Sequence, residues 1–343
     1  MTLVPTARPP AAVTPGPRPR VLVTGATGFV GSHLVPILAR TGADVVGGTR
    51  DVARARHDHP DRAFVALDLL RPETVHAALQ GCTQAVYLVH GMASADHEYE
   101  RIEREAALTF RAAAAAAGVQ RIVYLGGMRP AGPPSRHLRS RLATGEILRE
   151  GPVPVIELQA TMVIGSGSES FRMVRDLAAR LPVMLLPAWL DSRTQPIGIV
   201  DVVQAIVLAL RLDTSESRAW PLPGLETLTA RAIIERTAGL LGRRPYTVQV
   251  PFVTPSLSAY WIGLITRADP HLAAELVEGL RTDILSPDDG FWAVYPQYRR
   301  QSFDETVRRA LAGEADELSQ MALFVEEAAE WVTPKDDHAA AVS

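Results

Sequence analysis

Three glycines spaced by three, Gly25, Gly28 and Gly31, follow an apolar run Val21-Leu22-Val23 and Thr24. That pattern can hold a phosphate. Gly25 permits a sharp turn, Gly28 a close approach of backbone to a pyrophosphate, and Gly31 tight packing of the following helix. The amides at such a helix start, from Thr24 through Thr27, Gly28, Phe29, Val30 and Gly31, face an anion with the helix dipole behind them. With 25 glycines in the chain the spacing alone is weak. The strand before it and the period Val30, Leu34, Ile37, Leu38 after it make it a dinucleotide signal.

A second chemical pair lies at Thr49-Arg50, with Arg54 one turn further on. In dinucleotide folds an arginine here accommodates the 2′-phosphate of NADP, and an acid favours NAD. The expectation is NADP(H), with NAD(H) possible. Asp51 is the competing residue, as a ribose ligand if the register slips by two, or as the cap of the next helix. Asp68-Leu69, closing a third strand, can contact an adenine edge or cap the helix from Pro72 to Leu79.

Other chemistry is thin. Lys335 is the only lysine, which argues against Schiff-base catalysis, and Cys82 is the only cysteine, which excludes an internal disulfide and a multi-cysteine metal site. His57-Asp58-His59 is broken by Pro60 and reads as a solvated loop, so no metal is expected. With 35 basic and 38 acidic side chains, net charge -3, there is no footprint for nucleic acid. The most apolar windows, 199–212 and 257–266, fall short of the roughly 20 apolar residues of a membrane span. A cytoplasmic protein acting on a small molecule fits these facts.

The elements that must position the glycines alternate strand and helix. Strands are expected at 21–23, 44–49, 63–67, 85–89, 121–125 and 153–159, with helices between them, including a long alanine-rich one from His97 to Ala117 stopped by Gly118. Continuous apolar strands with helical crossovers mean a parallel sheet covered on both faces. The fold class is α/β, a Rossmann-type doubly wound sheet with a smaller C-terminal α/β lobe. Residues 1–19 read as a disordered leader, 20–160 as the nucleotide core, 161–332 as a substrate lobe interleaved with it, and 333–343 as a disordered tail. Residues 181–190, punctuated by proline, read as an irregular pocket wall. A strand leads into the helix 200–212, which carries Asp201 in its first turn; a short strand lies within 220–228, a helix at 229–241 and a last strand at 247–250. Helices are expected at 255–265, 271–280, 303–311 and 315–331, with Tyr260 and Trp261 on a greasy face suited to core packing or a homodimer contact.

Gly25-Ala26-Thr27-Gly28-Phe29-Val30-Gly31, the turn Val86-Tyr87-Leu88-Val89-His90 and Gly118-Val119-Gln120-Arg121-Ile122-Val123-Tyr124-Leu125 resemble the short-chain dehydrogenase/reductase superfamily. More narrowly, the chain is similar to its atypical, NmrA-like NAD(P)H-binding branch over about residues 20–312. The resemblance implies a nicotinamide site bordered by Val89, His90, Gly91 and Gly126. It also implies a serine after the fifth strand and a Tyr-x-x-x-Lys on the next helix, and both are missing. Gly126-Gly127 stand in the serine's place, His137 in the tyrosine's and Arg141 in the lysine's. His137 is then a candidate general acid and Arg141 a candidate ribose ligand, unless both sit on a solvated helix face beside Arg136 and Arg139. Met92, Met128 and Met162 border the candidate substrate side, Met162 within the Gly/Ser-rich loop 161–170. Arg193 can serve an anionic or carbonyl-bearing substrate or a structural ion pair. The favoured activity is hydride transfer between NADP(H) and a small carbonyl, enone or quinone. The rivals are a nucleotide-binding sensor without turnover and a redox-neutral epimerase or dehydratase that retains its cofactor.

Overall fold

The computed structural model describes residues 18–89, 98–180, 183–244, 246–250 and 282–315. Its centre is a parallel sheet of seven strands: β1 (Arg20–Thr24), β2 (Asp44–Thr49), β3 (Ala63–Ala66), β4 (Gln84–Tyr87), β5 (Arg121–Gly127), β6 (Val155–Ala160) and β11 (Arg218–Leu222). They lie in the order β11-β6-β5-β4-β1-β2-β3. The chain winds outward from β1 in one direction and from β4 in the other, so the crevice between those two strands is the switch point where such sheets take ligands. This is a Rossmann-like α/β fold.

Helices α1 (Phe29–Arg40), α2 (Val52–Asp58), α3 (Pro72–Leu79), α4 (Tyr99–Ala116), α5 (Arg136–Arg149) and α7 (Ile199–Arg211) connect and cover the strands. One face buries Leu34, Ile37, Val202 and Ile206 against β1 and β6. The other buries Leu79, Phe110, Ile147 and Leu148 against β4 and β5. Each face is apolar because a central parallel strand meets helices on both sides. Cys82 is buried in the second layer, where burial pushes its thiol pKa up, so it is a packing residue.

Past β6 the chain serves two cores. Strands β7 (Val163–Ile164) and β10 (Ile197–Gly198) pair in parallel, as do β8 (Val183–Pro187) and β13 (Tyr246–Val250), and β9 (Arg193–Thr194) pairs antiparallel with β12 (Leu228–Thr229). Helices α6 (Glu169–Arg180), α8 (Ala230–Leu240) and α9 (Phe303–Ala315) pack around Phe171, Ile233, Phe303 and Val307. Meanwhile β11 returns to the main sheet beside β6, with Trp220, Phe291 and Trp292 covering its edge. Asp201, fully buried at the start of α7, accepts from the Tyr298 hydroxyl at 2.7 Å and the Gln301 amide at 3.2 Å. Burial raises its pKa to about 6 against those bonds.

Three local expectations change. Residues 183–187 are a regular strand, not an irregular wall; Pro187 stands at its end, where the loss of one donor N–H costs least. Strand β4 ends at Tyr87, two residues early, as Leu88 turns to donate its N–H to the Thr24 hydroxyl at 2.9 Å. Asp68 does not cap α3: its carboxylate accepts from Leu70 N at 3.1 Å, and the N-cap is Arg71. The leader up to residue 17, the helices expected at 255–265 and 271–280 with Tyr260 and Trp261, most of 315–331 and the tail lie outside the described residues. Among the described residues, no helix is long and apolar enough to cross a membrane and no His/Cys/Asp/Glu group is arranged to hold a metal.

Candidate active site

The β1–α1 turn is a backbone cradle. Gly25 has φ +65, which L side chains rarely adopt, and the Gly28 amide closes the turn onto the Gly25 carbonyl at 3.0 Å. A Cβ on Gly31 would drive into the Gly25 carbonyl oxygen and lie 2.7 Å from Ala26 Cα, so only glycine lets α1 sit this close. Helix α1 starts at Gly28 with no side-chain cap and no acid in its first turn. The amides of Phe29, Val30 and Gly31 therefore lack intrahelical acceptors and stand at the carboxyl end of the sheet. Thr27 and Gly28 are exposed at the mouth. These features fit a dinucleotide diphosphate. Thr24 is buried, and its hydroxyl ties β1 to the residue after β4.

At the end of β2, Arg50 is exposed with no ion-pair partner among the described residues. Asp51 caps α2, its Oδ1 accepting from Arg54 N at 2.9 Å, so its carboxylate is turned into its own helix. The Arg54 guanidinium faces Asp58 at 3.6 Å and stays largely in solvent. Leu69 is buried in the core layer, which leaves its backbone and Asp68, rather than its side chain, near the crevice rim. Val89 is half-buried against the same layer. His90, Gly91 and Met92 lie outside the described residues.

The β5–α5 end is made of side chains. A Cβ on Gly127 would press on Leu138 and come within 3.5 Å of Arg141 Nε, so α5 occupies the space a side chain there would need. Arg141 Nη2 donates to the Leu125 carbonyl at 2.9 Å, and the Tyr124 hydroxyl donates to the Arg141 carbonyl at 3.0 Å. His137 is half-buried, and burial first, then the Arg141 charge, lowers its pKa to about 4. It is neutral at pH 7. Met128, just past β5, is buried and donates its amide to the Ala160 carbonyl at 3.0 Å.

Residues 21–153 match the model of the NAD dependent epimerase/dehydratase family. That segment is similar to this family and amounts to less than half of the chain. Over 250 residues the chain is 26% identical to NADH dehydrogenase [ubiquinone] 1 alpha subcomplex subunit 9, mitochondrial, of Arabidopsis thaliana, covering 67% of this chain and 60% of that one. The chain thus spans less than two thirds of that relative's length. Photosystem II assembly factor Ycf39 of Guillardia theta is 25% identical over 276 residues, 78% of this chain and 85% of that one. Among solved structures, triphenylmethane reductase of Citrobacter sp. shares the fold at TM-score 0.68 with 17% identity, covering 85% of this chain and 99% of its own; its complex with NADP(H) superposes at 0.65.

The β1–α1 turn is overlaid by the Gly/Ser-rich loop after β6. A Cβ on Gly165 would lie 3.0 Å from the Phe29 ring, and Gly167, at φ +84, is also against that ring, so the loop rests on the diphosphate turn. Phe29 in turn meets His33 edge-on at 5.5 Å. Met162 packs into the lobe's core with Phe171 and Phe303. Arg193 is engaged: Nε and Nη2 donate to Asp283 Oδ2 at 3.0 and 2.6 Å, and its amide to Oδ1 at 2.7 Å. The Asp283 carbonyl accepts from Ala131 N at 2.9 Å, so this pair clasps the β5–α5 loop to β9. Asp283 and Glu157 escaped the sequence reading. Glu157 had a signal, a lone acid in the apolar run Val155-Ile156-Glu157-Leu158; Asp283 had none.

Proposed function

We propose that the chain is an NADP(H)-dependent oxidoreductase that moves a hydride to or from a small carbonyl, enone or quinone with no protein acid protonating the substrate. The observation that carries the reading is the β5–α5 end. Gly126-Gly127 offer no hydroxyl, and the half-buried His137 beside Arg141 has its pKa lowered to about 4. A neutral imidazole can donate one hydrogen bond but is not an acid reservoir at pH 7. A quinone or conjugated enone delocalises the anion that hydride addition creates, and it suits such a site better than a simple ketone. Arg141 keeps one N–H on Leu125 and has others to steady a ribose hydroxyl or that anion. The nicotinamide, when bound, supplies the hydride.

Arg50, exposed beside an Asp51 committed to its own helix, supports NADP(H) over NAD(H). The fold shared with an NADP(H)-bound reductase is consistent with this. The setting that fits is a reducing cytosol, with a small molecule rather than nucleic acid or a membrane as partner. The test follows NADPH absorbance with a panel of quinones and enones. Oxidation above the no-enzyme rate with any of them supports the reading, and none across the panel, with NADPH bound, overturns it.

That second result would favour a nucleotide-binding protein without turnover. The missing hydroxyl and acid suit it, and the two relatives in sequence carry the names of a complex subunit and an assembly factor. A redox-neutral reaction would instead show itself as nucleotide that co-purifies and does not exchange.

A further inference from the structure

Glu157 is a carboxylate in the middle of an apolar strand. It has no exposed surface and lies beside Tyr124 of β5 in register. Two groups hold it: Arg149, in the last turn of α5, forms an ion pair with Oε2, and Gln159 Nε2 donates to Oε1 at 3.0 Å. Two glycines make the room. A Cβ on Gly126 of β5 would stand 2.7 Å from Glu157 Oε1, and one on Gly145 of α5 would stand 2.6 Å from its Cδ. The acid is therefore wedged between strand end and helix. On α5, His137, Arg141, Gly145 and Arg149 recur every four residues, so they fall on successive turns of one stripe. The helix's other flank is tied to α4, where Ser140 donates to the buried Glu103 and Arg139 to Glu100 at 3.1 Å.

We propose that Glu157 is a positioning residue: wedged between Gly126 and Gly145 and paired with Arg149, it sets the seat of α5 on the sheet and so places His137 and Arg141 over the Gly126-Gly127 end of β5. The inference rests on reading that end as the nicotinamide end. Its physical basis is that a buried ion pair tolerates little displacement, because a carboxylate left unpaired in a dry site is costly. Small shifts of reacting geometry cost rate steeply. The diphosphate turn on β1–α1 shares no residue with this wedge.

Three variants test it: Glu157→Ala, which removes the wedge; Gly145→Ala, whose methyl collides with it; and Gly239→Ala in α8, where a Cβ meets nothing within 4 Å. Each is read by NMR titration of His137, by NADPH affinity in calorimetry, and by the single-turnover hydride rate with whichever quinone or enone the native protein reduces. In the first two, NADPH affinity should stay within about threefold. The His137 titration should move up from about 4 toward the free value of 6.5 as the ring rehydrates, and the hydride rate should fall about tenfold or more. Gly239→Ala should leave all three unchanged. Should Glu157→Ala fail to fold, Gly145→Ala still decides, since alanine favours a helix interior. A folded Gly145→Ala protein with native His137 titration overturns the proposal. If no substrate turns over, the oxidoreductase reading fails, while the His137 titration still tests the wedge.

Discussion

At the β1–α1 turn, what faces the crevice is backbone: amides of Phe29, Val30 and Gly31, held by glycines that sit within seven consecutive residues. The β5–α5 end is instead built of side chains: Arg141 is bonded to Leu125 and Tyr124 of β5, and Arg149 is paired with Glu157 of β6. The first region depends on conformation and the absence of side chains. The second depends on buried charges, Glu157 with Arg149 and Glu103 with Ser140. Diphosphate binding at the turn itself should therefore tolerate changes in side-chain charge but not added volume, whereas the β5–α5 end should respond to both.

The sharpest way to break that contrast is volume at the turn. Gly31→Val should abolish nucleotide binding, by a hundredfold or more and so at least about 2.8 kcal/mol, in calorimetry on protein verified as folded by circular dichroism. Near-native affinity would mean that the close approach at Gly31 is not needed.

Acid stability probes the other region by charge, and it should show an effect of comparable or slightly smaller size. His137 is shifted down, from 6.5 to about 4. The folded protein therefore binds that proton more weakly than the unfolded chain, and the stability this residue contributes, present above pH 6.5, is lost as pH falls toward 4. The gap corresponds to about 3.4 kcal/mol at most. Urea unfolding at pH 7 and pH 4.5 should show a smaller loss in His137→Ala than in the native protein. Asp201, raised from 3.8 to about 6, runs the opposite way: its contribution is whole below pH 3.8 and lost as pH rises through about 6. Asp201→Asn should therefore steepen the acid loss, and equal slopes in all three proteins would remove both groups from the account.

A charge change at the cradle's far rim should be smaller and selective. Arg50→Ala is expected to weaken NADPH about tenfold, roughly 1.4 kcal/mol, and to leave NADH unchanged, as read by competitive titration. Equal losses for both nucleotides would place Arg50 away from the 2′-phosphate. Smallest of all, Gly239→Ala should raise stability by about 0.5–1 kcal/mol in denaturant unfolding, since the site is open and helical.

Much of the architecture could be read from the chain, because its strands are continuous apolar runs and its helices begin and end at local signals. Gly118, at φ +73, closes α4 where expected, and Asp51 caps α2. The strand β8 could not be read, since its pairing partner, β13, lies some sixty residues further on. Asp68 misled for a local reason: its carboxylate reaches Leu70 N before it can reach the helix. At the site, the missing hydroxyl and the His137–Arg141 spacing were visible in sequence. The depth at which His137 sits was not, and burial lowers its pKa more than Arg141 does.

By itself, then, the order of residues determined the glycine turn, the strand–helix alternation and the absence of a serine after β5 and of a Tyr-x-x-x-Lys on α5, because each depends on neighbours within a turn or two. Only the tertiary structure decided that Arg193 belongs to Asp283, that loop 161–170 lies on Phe29 and that Glu157 is wedged beneath α5. Those are contacts between distant segments, where burial and exclusion of volume choose the partner and no local propensity can.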